Sequence, residues 1–389
     1  MTTIKDIARV AGVSFSTVSK ALRDSPLVQE ATKAKIRRIA EELGYQPNNA
    51  ARRLVSRRSG AVGVVWPSVE RVTPSILITL INEELEQRGY TTLLSMNRID
   101  SALEVFNRFQ TDAILIFYDR DATFVERMPY PTRIPVLYYG LGGQTPYAAV
   151  DVMRDQAIRL AVRHLYDLGH RRIAYLGAPA YRDLLQQEKL TAYEQELAAL
   201  GLPAQSVPVH SLESHDGYLA AMQVLGVHSP AEGSDASGAG SAAAARPSAI
   251  ISGSYDLTRG ILRAAAELEL DIPVQLSLIS YDHIPRMAEL QPPISAVGVD
   301  VRRIARTIAA QLMRMTGAED GGARAPDAPH EAASAADASV RSDEGGAVWP
   351  ADARDGDSEA GAGGASLQLA PELVDRGSTA PPERRGRAT

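Results

Sequence analysis

Four hydroxyls, one aromatic ring and one amine fall within seven consecutive positions near the start of the chain: Ser14, Phe15, Ser16, Thr17, Ser19 and Lys20. These groups suit binding rather than bond breaking. Hydroxyls and an amine reach phosphate oxygens and base edges, and a ring can meet a thymine methyl. Val18, Ala21 and Leu22 form an apolar stripe at helical spacing, so Phe15, Ser16, Thr17, Ser19 and Lys20 are left on the outer face, with Ser14 as N-cap. Upstream, Ile4, Ile7, Ala8 and Ala11 give a first short amphipathic helix; Thr3 caps it, Asp6 supports its first turn, and Gly12 ends it where a left-handed turn costs little. Two short helices joined by a glycine turn form a helix-turn-helix, whose second helix enters the DNA major groove.

A third helix is expected from Glu30 to Leu43, with Ala31, Ile36, Ile39, Ala40 and Leu43 inward, Lys33, Lys35, Arg37 and Arg38 outward, and Gly44 as its stop. The pattern alone also fits a plain three-helix bundle. Longer matches decide between the two readings. Thr3-Ile4-Lys5-Asp6-Ile7-Ala8, Ala11-Gly12-Val13-Ser14, Thr17-Val18-Ser19 and Leu43-Gly44-Tyr45-Gln46-Pro47-Asn48 resemble, in order, the lactose-repressor (LacI/GalR) family of bacterial regulators. The resemblance implies that Phe15, Ser16 and Lys20 read bases, while Thr3, Ser14, Thr17, Ser19, Tyr45 and Asn48 complete the DNA contacts, chiefly to phosphates. It further implies that residues 49–60 are a hinge that folds on DNA. There Ala51 and Leu54 reach the minor groove and Leu54 acts as an apolar wedge. A segment of that length does not hold a helix alone.

Charge supports a polyanion partner at one end only. Residues 1–60 carry 12 Lys+Arg against 5 Asp+Glu, and the remainder carries 29 against 42. Without cysteine, disulfides, Cys-ligated zinc and thiol catalysis are excluded. There is no leading apolar run and no stretch of ~20 apolar residues, so the chain reads as soluble and cytoplasmic, with no membrane partner. P-loop, G-x-S-x-G, H-E-x-x-H and G-x-G-x-x-G patterns are absent. No acidic cluster accompanies His164 and His170, and the reading is of a non-enzyme without cofactor or metal.

From Ala61 onward short apolar runs alternate with amphipathic helices. Expected strands are Ala61–Trp66, Tyr90–Ser95, Ala113–Phe117, Ile134–Tyr138, Ala148–Val152, Arg172–Leu176, Ala249–Ser252 and Leu276–Ser280. Expected helices are Pro74–Arg88, Ser101–Phe109, Asp155–Leu168, Leu184–Leu200, Asp216–Leu225, Leu257–Leu268 and Val301–Met315. Such repetition means parallel sheets with helices on both faces. The expected architecture is therefore multidomain: an all-α helix-turn-helix head (1–48), the hinge (49–60) and an α/β body (61–389). The family resemblance implies that the body resembles periplasmic binding proteins, with two doubly wound parallel-sheet subdomains around a ligand cleft, and that it dimerises. Segments near 229–246 and 317–365, rich in Ala, Gly, Ser, Asp and Pro, read as disordered insertions; Ser366–Val374 resembles the closing strand.

For the ligand, the resemblance places Ser68, Arg71 and Thr73 on the first subdomain and Lys189, Tyr255, Asp256 and Asp282 on the second. Asp282 follows a strand, at the end where open α/β sheets bind ligands. Lys189 stands where relatives commonly carry Arg, keeping the charge but losing the bidentate fork. Trp66, Tyr139 and Tyr255 are candidate stacking surfaces, with core packing the favoured reading for Trp66. The implied function is a DNA-binding regulator, a repressor, that acts as a homodimer on a near-palindromic double-stranded operator and is switched by a carbohydrate effector. Two rivals share the α/β fold: a sugar-binding protein of transport, and a sugar-phosphate enzyme.

Overall fold

The computed structural model describes residues 2–22, 24–45, 58–66, 70–96, 98–117, 130–141, 145–179, 183–226, 246–317 and 366–382. The chain divides into two compact units, Met1–Ser59 and Gly60–Thr389. Most of the expected hinge and nearly all of both compositionally biased segments lie outside the described residues.

The head contains α1 (Ile4–Ala11), α2 (Phe15–Ala21) and α3 (Glu30–Glu42). A reciprocal cap opens α1: the Asp6 amide donates to Thr3 Oγ1, and the Thr3 amide donates back to Asp6 Oδ2 at 3.0 Å. Gly12 adopts φ 69°, the left-handed turn that lets α2 start at once. Ser14 Oγ then accepts the Thr17 amide at 3.1 Å. Ile7, Ala11, Val18, Ala21, Val28, Ile36, Ile39 and Ala40 form a core among the described residues of the head. Ile36, Ile39, Ala40 and Leu43 of the third-helix region face inward as expected, and only the first turn of α3 differs, with Ala31 exposed and Lys33 buried. The Lys33 stem lies along apolar surface while its amine meets Glu30 Oε1 at 2.7 Å and Asp24 Oδ1 at 3.1 Å. A positive-φ turn at Asp24 brings that carboxylate over the helix, which a helical projection does not foresee.

The second unit opens with β1 (Ala61–Val65), α4 (Val72–Gln87), β2 (Thr91–Ser95), α5 (Ile99–Phe109), β3 (Ala113–Phe117), β4 (Val136–Tyr139) and β5 (Ala149–Val152). It continues with α6 (Arg154–Asp167), β6 (Ile173–Pro179), α7 (Leu184–Ala199), β7 (Gln205–Val209), α8 (Ser214–Leu225), β8 (Ala249–Ser252), α9 (Tyr255–Glu267), β9 (Ser277–Ser280) and β10 (Ser295–Gly298). The last elements are α10 (Val301–Met315), β11 (Ser366–Leu369) and β12 (Glu372–Val374). Among the described residues two six-stranded sheets result, in the orders β11-β5-β4-β3-β1-β2 and β12-β10-β9-β8-β6-β7. All pairings are parallel except β10 with β12.

The chain passes from one sheet to the other after β5, returns before β11, and crosses again between β11 and β12. Apolar strands such as Ala-Ile-Leu-Ile-Phe in β3 suit central positions covered on both faces. β7 and β10 were not expected: β7 is a polar edge strand containing Pro208, and β10 is four residues of small side chains. Helices α4 and α9 each begin two residues earlier than the apolar pattern suggests, which puts Tyr255 and Asp256 in the first turn of α9.

α9 is set against α8 backbone to backbone. A Cβ on Gly260 would strike Ser214 O and Tyr218 N, and one on Gly217 would lie 2.8 Å from Leu257 Cα. Gly260→Ala therefore destabilises the second unit by ~1–3 kcal/mol, read as a lower Tm in thermal denaturation. An unchanged Tm would show that α8 and α9 are not locked at this crossing.

Candidate functional site

Two surfaces carry the candidate residues. On the head, Phe15 is half exposed, and Ser14, Ser16 and Lys20 are exposed, while Val18 and Ala21 on the opposite face are fully buried. Ser14 Oγ lies 2.8 Å from both Ser16 Oγ and Thr17 Oγ1, so the start of α2 presents a linked row of hydroxyls. Thr17 and Ser19 are partly buried beside it. Tyr45 leans on the head's core, with its amide bonded to Ala40 O at 2.8 Å, and Thr3 is engaged in the α1 cap. Asn48, Ala51 and Leu54 lie outside the described residues.

The second surface is the cleft where the carboxyl ends of the two sheets meet. Asp282 follows β9 and its Oδ2 accepts the Tyr255 amide at 2.7 Å, closing the first turn of α9. Ser254 Oγ accepts the Leu257 amide at 3.3 Å as the N-cap of the same helix. Lys189, on α7, is buried; its Nζ donates to Gly253 O at 2.9 Å and stands 3.6 Å from the centre of the Tyr281 ring. Burial pulls its pKa down to about 7, opposed mainly by the Asp282 carboxylate. Arg71 and Arg154 add to the depression and Asp183 resists it, so these groups share one electrostatic neighbourhood.

Arg154, the first residue of α6, pairs with Asp151 on β5 at 2.6 Å, both buried, and approaches Glu188 at 3.7 Å. On the first subdomain Trp66, Phe117 and Tyr139 form a run of tilted rings with centroids 4.4 and 5.3 Å apart. Trp66 is fully buried and belongs to the core. Burial drives the Tyr139 hydroxyl well above its ordinary pKa. Thr73 Oγ1 and Gln186 Oε1 are buried polar atoms without hydrogen-bond partners, of the kind that can serve a hydroxylated ligand. The Val72 amide, next to Arg71, donates to Asp256 Oδ2 at 3.2 Å, so the two subdomains touch.

The structure thus gathers Arg71, Thr73, Lys189, Tyr255, Asp256 and Asp282 around one cleft; Ser68 lies outside the described residues. Sequence reasoning missed Tyr281, the Asp151–Arg154 pair and Gln186. The signal for the pair was a charged residue on each side of an apolar strand end, in Val150-Asp151-Val152-Met153-Arg154. Among the described residues no group of three or more His, Asp or Glu could hold a metal ion.

Comparison with known proteins follows the same division. Residues 3–48 match the lacI family of bacterial regulatory proteins, and residues 162–335 match the periplasmic binding protein-like domain. Residues 3–48 thus carry a lacI-family domain, and the chain resembles lacI-family regulators along most of its length. The Escherichia coli K12 lactose operon repressor is 25% identical over 323 residues, covering 81% of this chain and 84% of that protein. MalR, an HTH-type transcriptional regulator of Streptomyces coelicolor, is 28% identical, covering 84% of this chain and 92% of that protein. The lac repressor dimer bound to operator and the anti-inducer ONPF superposes with TM-score 0.71 at 22% identity, covering 97% of this chain and 99% of that one. The two surfaces described above lie on the helix-turn-helix domain and on the two-sheet α/β domain of that shared fold.

The buried Lys189 amine gives a pH signature. Its folded pKa lies below the ordinary lysine value, so between about pH 7 and the unfolded pKa near 10.5 the unfolded chain binds more protons. Stability from this site therefore rises with pH through that window. Lys189→Met should be more stable than the parent near about pH 6.5, with the advantage shrinking by ~1 kcal/mol or more by about pH 9. Urea unfolding at the two pH values checks it, and a pH-independent difference would contradict it.

Proposed function

We propose that this chain is a sequence-specific transcriptional repressor whose operator affinity is set by a carbohydrate bound in the cleft between its two sheets. One observation carries the reading: a helix-turn-helix with an exposed polar face occurs in the same chain as a two-sheet cleft lined by Lys189, Tyr281 and Asp282. A sugar-binding protein of transport has no use for the head. A sugar-phosphate enzyme would need reacting groups, whereas Asp282 and Lys189 are spent on backbone contacts, as in a site that recognises its ligand without transforming it. Among the described residues no helix is long and apolar enough to cross a membrane, consistent with work on DNA in the cytoplasm.

On DNA, Phe15, Ser16 and Lys20 meet base edges while Ser14, Thr17 and Ser19 hold phosphates, so the first set specifies and the second positions. One small head reads few base pairs. Two copies on a near-palindromic site supply the remaining affinity, and the Leu54 segment of each enters the minor groove between the heads. In the cleft, the aromatic side offers a face for a sugar ring, and the Asp282 carboxylate with the buried Thr73 and Gln186 oxygens offers partners for its hydroxyls. Two of the related structures hold ligands of this class, cellobiose in CelR and ribose in an Enterococcus faecium regulator.

The reading separates two variants. Lys20→Ala relaxes base preference at one position per half-site, at ~1–3 kcal/mol per lost contact, without changing effector binding. Asp282→Ala leaves DNA recognition intact and removes the response to carbohydrate. Operator selection followed by fluorescence anisotropy, with a panel including cellobiose, ribose and galactosides, checks both. Unchanged base preference in Lys20→Ala would remove that residue from the readout, and an intact sugar response in Asp282→Ala would displace the site.

A further inference from the structure

Helix α4 takes a cap from the opposite side of the cleft. The first amides of a helix have no partner within it, and an N-cap side chain usually accepts one. Arg71, at the N-cap of α4, carries no acceptor. The Val72 amide donates instead to Asp256 Oδ2 at 3.2 Å, across 184 residues of sequence. Asp256 is buried and sits in the first turn of α9, on the other subdomain.

Asp256 is placed for this contact and not for its own helix. The Tyr255 and Leu257 amides of α9 are already taken by Asp282 Oδ2 and Ser254 Oγ. The close glycine crossing of α8 and α9 fixes the ridge on which Asp256 stands. Burial raises the Asp256 carboxyl above its ordinary pKa. The Val72 amide opposes that rise, nearby Asp282 adds to it, and the Arg71 and Arg259 guanidiniums favour the charged form. A carboxylate at a helix N-terminus interacts favourably with the helix dipole, and its hydrogen bond is charge-assisted. A second contact across the cleft lies away from this one: Leu185 of α7 packs against the first-subdomain cluster that contains Tyr130 and Tyr138.

We propose that Asp256 is a closing latch and not a ligand for the effector: by capping α4 across the cleft it holds the two subdomains together and sets the closed-to-open ratio before any effector arrives. The inference rests on the reading of this cleft as the effector site. A ligand shifts a conformational equilibrium only by its differential affinity for the two states, so the latch fixes the ratio from which the effector works. Weakening it lowers the fraction of protein ready in the closed form, and apparent effector affinity falls by that fraction.

The test uses the full chain without effector. Because the sequence has no cysteine, Glu104→Cys on α5 and Glu194→Cys on α7, both exposed, accept a single pair of spin labels. Three changes are introduced into that background: Asp256→Ala, Asp256→Asn and Val72→Pro. The proline removes the donor without touching the carboxylate, and it suits the first position of a helix. Arg71 before it is already extended at φ −81° and ψ 141°, as proline requires.

Distances from double electron–electron resonance should move toward longer values in Asp256→Ala and in Val72→Pro, by about tenfold in the closed-to-open ratio. The double variant should go no further than either single change, and Asp256→Asn, which keeps an acceptor but loses the charge, should fall between. Distance distributions matching the parent in both Val72→Pro and a folded Asp256 variant overturn the latch. Opening of these variants in a protein that binds no carbohydrate would leave the latch standing and refute the effector reading. Carbohydrate binding with unmoved distances would do the reverse.

Discussion

Parallel pairing of the strands is the constraint on which the body depends. In a parallel sheet every carboxyl end points the same way, so the loops that follow β1, β3, β4, β8 and β9 collect at one edge of each sheet. With three crossings between the sheets, the two edges face each other over a cleft. The strand-end residues Trp66, Tyr139, Gly253, Tyr281 and Asp282 are thereby brought together from positions more than two hundred residues apart. Relative movement of the subdomains has to pass through the same few crossing points. One of them carries the buried Asp151–Arg154 pair.

Within that edge, buried charges are tolerated because each is given work. Lys189 donates to a carbonyl and lies over a ring, Asp282 accepts an amide, Arg154 meets Asp151, and Asp256 accepts the Val72 amide. Leaving any of them unpaired in so dry a place would cost several kcal/mol, of the order of ~3–5. A network of this kind favours discrete arrangements over gradual deformation, which is what a switch requires. The head obeys a simpler logic. Its caps and one small core spend its apolar residues inward, and the polar face of α2 is left for a partner.

Local signals in the sequence carried most of the head. Thr3 with Asp6, Gly12 and Ser14 act within four residues of themselves, and each lies where capping and turn chemistry put it. Lys33 escaped because its burial depends on Asp24, nine positions away and in a turn that brings a carboxylate over the helix. In the body, apolar runs identified the central strands, but β7 and β10 are too polar or too short to stand out, and their existence is owed to the neighbours they pair with. Asp282 and Lys189 were legible as cleft residues through the family resemblance. The bond from Val72 to Asp256 was not, since it joins subdomains and is visible only once both sheets are in place.

The central claim is that ligand in the cleft and DNA at the head act on one equilibrium. Linkage makes this measurable without knowing the path between them: whatever factor effector applies to operator affinity, operator must apply to effector affinity. Isothermal calorimetry of a responding carbohydrate into the full chain, once free and once saturated with operator DNA, gives one factor, and operator titration with and without that carbohydrate gives the other. The account predicts the same factor from both, in the range of about 5- to 150-fold. Effector affinity that is identical in the free and operator-bound protein would contradict it.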